Sequence, residues 1–178
     1  YDILNNINQA FVDLVRASGG VNARRHLLIA GYSTDIDRTV DPYFKMPTDP
    51  AQRSILSIHY YTPWLFVGLE KDASWGKARP TWGTEDDIEE LDTYLEKLKT
   101  RFLDKGVPII MGEYGMACKK EVDSSRKYFL TVGERAFRLG ICPMVWDAGG
   151  LFDRRGLEFF DPVLLEGFQG ILAMPRAR

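Results

Sequence analysis

Four apolar runs in the sequence each end in residues able to bind or react. The run "HLLIAG" (26–31) leads to Tyr32, Asp35 and Asp37, and "ILSIHYY" (55–61) closes on His59, Tyr60 and Tyr61. The run "VPIIMG" (107–112) leads into Glu113 and Tyr114, and "CPMVWD" (142–147) ends in Trp146 and Asp147. A carboxylate placed like Glu113, straight after a buried run, is costly to desolvate unless something uses it. One use is nucleophilic: a carboxylate can form a covalent intermediate with a sugar during glycoside hydrolysis. Tyr61, from the neighbouring run, can donate to that carboxylate, holding it ionised and aimed. The indoles of Trp64, Trp75, Trp82 and Trp146 lie in or beside the segments after these runs. Such rings stack on the apolar faces of pyranoses at little entropic cost.

Each residue has a plainer reading when taken singly. A glutamate at a strand end is as often a cap or an ion-pair partner, a histidine there as often a satisfied core side chain, and a loop tryptophan can simply pack. The coincidence of four such ends carries the weight. A metal site is disfavoured, because the second histidine, His26, begins a run and so faces the opposite end of the sheet. Serine or cysteine nucleophiles lack a G-x-S-x-G elbow and a second well-placed histidine.

The elements that must position these residues follow from periodicity and punctuation. Ile3, Leu4, Ile7, Phe11, Leu14 and Val15 recur at helical spacing and stop at Gly19-Gly20. The stretch with Pro42, Pro47 and Pro50 offers no convincing helix. A helix over 85–105 has Thr84 as cap, Asp87 three residues on, and an apolar face of Ile88, Leu91, Leu95, Leu98 and Phe102. A further helix spans about 124–139, and Asp161-Pro162 opens a last one. The four runs are apolar along their length, as in parallel strands covered on both faces. That pattern excludes a sandwich and favours α/β, either doubly wound or part of a (β/α)8 barrel, in one domain over 1–178.

Composition narrows the function classes. The 178 residues are 45% hydrophobic with a formal charge of -2, which excludes a disordered chain and gives no electrostatic case for nucleic acid or an anionic membrane. No apolar run approaches the roughly 20 residues of a membrane-spanning helix, and no secretion leader is visible. Cys118 and Cys142 fall at opposite ends of neighbouring strands, too far apart for a disulfide, and are expected as free packing thiols.

The strand-end motifs resemble glycoside hydrolase family 5, and within it the bacterial endoglucanases. "SIHYYTPW", "PIIMGEYG" and "PMVWDAGG" are similar to the family's strands six, seven and eight, and "RHLLIAGYSTD" to the segment around strand five. The resemblance implies Glu113 as catalytic nucleophile, His59 and Tyr61 as its active-site companions, and Trp146 as substrate-stacking residue. Trp64, Trp75, Trp82 and Tyr32, from their place at or beyond the strand ends, are expected as further substrate contacts. It implies no cofactor, a β-glucan substrate (with mannan as the less favoured alternative) and a secreted setting. The family's acid/base glutamate, in an Asn-Glu-Pro motif, has no counterpart in these residues. The chain thus resembles the C-terminal half of the enzyme: four parallel strands with flanking helices, half of a (β/α)8 TIM barrel.

A half barrel exposes two strand edges. Pairing of two copies would close them, and Asp147 of a partner chain could then stand in for the missing acid. A single chain, lacking that acid, is expected to have weak or absent activity; a non-catalytic carbohydrate-binding module and a phosphate-binding barrel using Gly149, Gly150, Arg154 and Arg155 are the other readings.

Overall fold

The computed structural model describes residues 1–175. Its chain order is α1 (Asp2–Ala17), β1 (Leu27–Ala30), α2 (Ile36–Val40), β2 (Ser54–Tyr60), α3 (Trp64–Val67), α4 (Glu85–Arg101), β3 (Ile109–Tyr114), α5 (Val122–Arg138), β4 (Cys142–Val145), β5 (Phe152–Asp153), β6 (Glu158–Phe159) and α6 (Pro162–Leu172). The strands β1-β2-β3-β4 form one parallel sheet in sequence order, the arrangement of a partial (β/α)8 barrel. Among the described residues, no helix is long and apolar enough to cross a membrane.

Alternate strand residues point into one continuous core. Leu27 and Ile29 of β1, Leu56, Ile58 and Tyr60 of β2, and Ile109, Met111 and Tyr114 of β3 are buried with Val12 of α1, Leu91, Leu95 and Leu98 of α4, and Tyr128, Val132 and Ala136 of α5. The sequence expectation of strands covered on both faces is corrected here. Leu28 is 53% exposed and Met144 47%, so the sheet's second face lies open at both edge strands. Strands of a barrel interior are apolar because other strands face them, not because helices do. Hydropathy alone cannot tell those two covers apart.

Other expectations shift in smaller ways. The apolar stripe of α1 is only partly used: Val12 is buried and Leu4 and Val15 pack at its margin, while Ile3, Ile7, Phe11 and Leu14 are exposed. The proline-bearing stretch opens on the short helix α2, capped by Asp35, whose carboxylate accepts the Arg38 N–H at 2.8 Å. Helix α5 begins at Val122, because Glu121 caps it through the Asp123 and Ser124 amides. The loop after β4 folds as a two-stranded antiparallel hairpin, β5–β6. The capping box of α4 forms as expected between Thr84 and Asp87, and Asp161 caps α6 with Pro162 in its first turn. Cys118 and Cys142 are both free, but Cys142 is exposed on the open face and is no packing residue.

Candidate active site

The end of strand β2 alternates: Ile58 and Tyr60 are buried toward the helices, so His59 and the following Tyr61 are left to the open face. Strand β3 does not alternate. Its pairing with β2 runs Ile58 to Met111, then His59 to Glu113, leaving Gly112 as an extra residue. Against β4, residues 112 and 113 together likewise oppose one residue, between the Met111–Pro143 and Tyr114–Val145 pairs. This is a β-bulge, a device that re-aims side chains. Counted by twos from Ile109 and Met111, position 113 belongs to the helix side. The bulge reverses that. Tyr114 goes under the helices, 1% exposed, with its hydroxyl donating to the Phe129 carbonyl at 3.2 Å. Glu113 stays on the open face with His59 and Tyr61.

Gly112 also clears space. A Cβ at this position would fall 3.2 Å from Ser57 Oγ and 3.5 Å from His59 Nε2. The imidazole lies along β3, and its Nδ1 comes within 3.4 Å of Glu113 Oε2. The Tyr61 hydroxyl donates to the same oxygen at 2.8 Å. Burial, then the bond to Glu113, raises the Tyr61 phenol well above the ordinary tyrosine value, so it acts as a donor at any ordinary pH. The side chain of Glu113 is 27% exposed, enough to meet a ligand from the open side.

A cavity of about 190 Å3 opens beside this pair, lined by His59, Tyr61, Tyr94 and the turn Ser33, Thr34 and Asp35. Ser33 and Thr34 hold φ of 57° and 54°, a left-handed backbone that a β-branched residue adopts only under constraint. Nothing in their residue types marked them as part of the site. A larger apolar cavity, about 250 Å3, lies between α5, α6 and β4 and holds no carboxylate.

The remaining residues singled out in the sequence separate into two groups. Trp146, Trp64, Trp75 and Tyr32 are 52%, 47%, 64% and 54% exposed, open to a ligand. The backbone N–H of Trp146 donates to the Tyr114 carbonyl at 2.8 Å, which ties it to the strand of Glu113. Arg38 lies 5.0 Å over the Tyr32 ring. Trp82 does not join them. It is 4% exposed, edge-on to Tyr128 at 5.2 Å, and its role is core packing.

Two acids are also spent on structure, Asp35 as the α2 cap and Asp37 by accepting from Lys97 at 2.6 Å. Asp147 accepts the Gly149 and Leu151 amides at 2.8 and 3.0 Å and pairs with Arg154 at 2.9 Å. Those contacts, the Leu151 amide first, hold its carboxyl below the usual range. It carries no proton to give near neutral pH, which argues against it as a substitute acid. The same contacts occupy Arg154 and the Gly149 amide, the donors that a phosphate reading needed. Among the described residues, no group of three or more His, Cys, Asp or Glu is placed to hold a metal ion.

A sequence model of the cellulase family, glycosyl hydrolase family 5, matches residues 1–150. The chain belongs to glycosyl hydrolase family 5. Curated relatives match most of the chain. Endoglucanase A of Paenibacillus barcinonensis is 37% identical over 172 residues, covering 84% of this chain and 42% of that protein. A xyloglucan-specific endo-beta-1,4-glucanase of Bacteroides ovatus is 36% identical, covering 86% of this chain and 34% of that protein. The solved structure of a GH5-4 broad specificity endoglucanase from an uncultured bovine rumen ciliate superposes with a TM-score of 0.89 at 34% identity, over 96% of this chain and 54% of that one. The family 5 chain thus spans less than half the length of the curated relatives it matches.

Proposed function

We propose that the chain supplies the nucleophile half of a retaining endo-β-1,4-glucanase, with Glu113 attacking the sugar and Tyr61 and His59 holding its carboxylate. The observation that carries this reading is the bulge, which brings Glu113 Oε2 to 2.8 Å from the Tyr61 hydroxyl and 3.4 Å from His59 Nδ1 on the open side of the sheet. A phenol donating to a carboxylate stabilises its charge and fixes its rotamer. The exposed indoles of Trp146, Trp64 and Trp75 suit a chain of pyranose rings. The names of the relatives favour β-glucan over mannan. A polymer of that size places the working protein outside the cell.

The general acid has to stand roughly 5–5.5 Å from the nucleophile in a retaining site. With Asp147 bound into its own turn, that carboxyl comes from a second half-barrel seated against the open face. Two unpaired strand edges, at β1 and β4, would receive it. A second copy of the chain would cover those edges but brings only the same turn-bound Asp147, so the half that carries the acid has a different sequence. Without the acid, proton transfer to the leaving oxygen is unassisted, which typically lowers rates by about 10²–10⁴.

An activated 2-deoxy-2-fluoro-cellobioside tests the reading directly, because its leaving group departs without a proton. Mass spectrometry after incubation should find one glycosyl adduct per chain, on the peptide containing Glu113, and none on Glu113→Gln. Adduct formation elsewhere, or none alongside unimpaired binding of β-glucan, would support a purely binding half-barrel instead.

A further inference from the structure

The connection from β2 to α4, residues 61–84, carries two exposed indoles, and one of them rests on a glycine. A Cβ built on Gly68 would fall 2.2 to 2.5 Å from Cε2, Cδ2 and Cζ2 of Trp64. Those atoms surround the bond shared by the two rings. Near-equal contact with all three arises only from above the ring plane. Gly68 therefore backs one face of the indole, while Trp64 as a residue remains 47% exposed.

The seat is braced. The amides of Gly68 and Leu69 donate to the Trp64 carbonyl at 2.9 and 3.2 Å, closing the turn under the ring. The Ala117 amide donates to the Val67 carbonyl at 2.8 Å, tying α3 to the loop just past Glu113. From the other side, the Arg79 amide donates to the Leu65 carbonyl at 2.8 Å, and its guanidinium reaches the buried Asp87 at 2.6 Å. Trp64 follows Tyr61 by three residues, so their Cα atoms lie no more than about 11 Å apart. Both residues follow the C-terminal end of β2, the end at which Glu113 also lies.

We propose that Trp64, held against Gly68, is a stacking platform for a sugar ring of a β-glucan whose neighbouring rings reach Glu113, and that Gly68 is its positioning residue. This rests on the glycosidase reading above. A side chain at Gly68 has no room beneath the indole, so even alanine lifts or tilts the ring. The platform works only while position 68 is bare.

Affinity electrophoresis in gels containing hydroxyethylcellulose tests this on the intact chain. Trp64→Ala should weaken retention on the order of tenfold, equivalent to about 1.4 kcal/mol. Trp64→Phe should restore part of it, and Gly68→Ala should weaken it several-fold. In the Trp64→Ala background, Gly68→Ala should have no further effect, because it acts only through the indole. Circular dichroism checks each variant's fold, and should Gly68→Ala not fold, the Ala-against-Phe comparison at 64 still decides. Unchanged retention of Trp64→Ala overturns the proposal, as does an equal Gly68→Ala effect with and without the indole. No retention of the unsubstituted chain overturns it too, and adduct formation at Glu113 then shows whether the glycosidase reading survives.

Discussion

Replacing Tyr61 with phenylalanine removes one oxygen and keeps the ring. The deleted hydroxyl donates at 2.8 Å to Glu113 Oε2, and His59 Nδ1, at 3.4 Å, is too distant to take over fully. A hydrogen bond to a charged group is worth about 1.5–3 kcal/mol. Glu113 keeps 27% of its side chain exposed, so water replaces part of the lost bond and the lower end applies. About 1.5 kcal/mol corresponds to roughly a tenfold loss. Looser aim of the carboxylate adds to it, so the expected range is about 10- to 100-fold. The assay is the rate of 2,4-dinitrophenol release from its β-cellobioside, a leaving group that needs no acid, so the nucleophilic step is read alone. An unchanged rate would refute the idea that Tyr61 aims Glu113. A faster rate would mean that the hydroxyl mainly stabilises the resting carboxylate.

Further outcomes are expected elsewhere in the chain. Gly112→Ala should slow the same reaction more than it lowers the melting temperature, because the new methyl meets Ser57 and the His59 imidazole rather than the core; calorimetry beside the rate assay separates the two. Trp82→Ala should destabilise by about 3–5 kcal/mol in urea melts while leaving retention on β-glucan gels intact, since the ring is buried against Tyr128. Asp49 takes both Arg16 Nε and an Arg16 terminal nitrogen at 2.8 Å, so Asp49→Asn should cost roughly 3–5 kcal/mol. The Arg16 bond first, with the backbone amides, depresses the Asp49 carboxyl far below its ordinary value. Its contribution is therefore complete above the unfolded pKa of about 3.9 and is lost as pH falls below it, a slope the asparagine variant should lack in urea titrations. Light scattering should report twice the chain mass if two copies cover each other's open edges at β1 and β4.

The parts of this molecule legible in the sequence are those written in local chemistry. Thr84 and Asp87 spell a capping box, Asp161-Pro162 a helix start, and four apolar runs ending in polar residues the parallel strands. What stayed hidden depended on neighbours. Trp75 and Trp82 look alike in a loop of similar composition, yet only the second meets Tyr128. The helix α1 shows one apolar stripe, and the structure buries part of it, because burial is decided by what packs opposite. Asp35 stands among the polar residues after the first apolar run but is a helix cap, and an aspartate before a short helical segment is itself a cap signal. The bulge was out of reach, since a run that is apolar throughout carries no alternation to break.

That bulge makes the site depend on residue counting as much as on residue identity. Removing Gly112 would leave His59, Tyr61 and Glu113 in the sequence and restore strict alternation to β3. The carboxylate would then be turned toward Phe129 and the helices, and the phenol of residue 114 would take its place among His59 and Tyr61. A family that keeps a glycine before its glutamate is, on this view, preserving a frame. In an alignment of relatives, a one-residue gap at that point would signal lost chemistry more surely than a substitution of either companion.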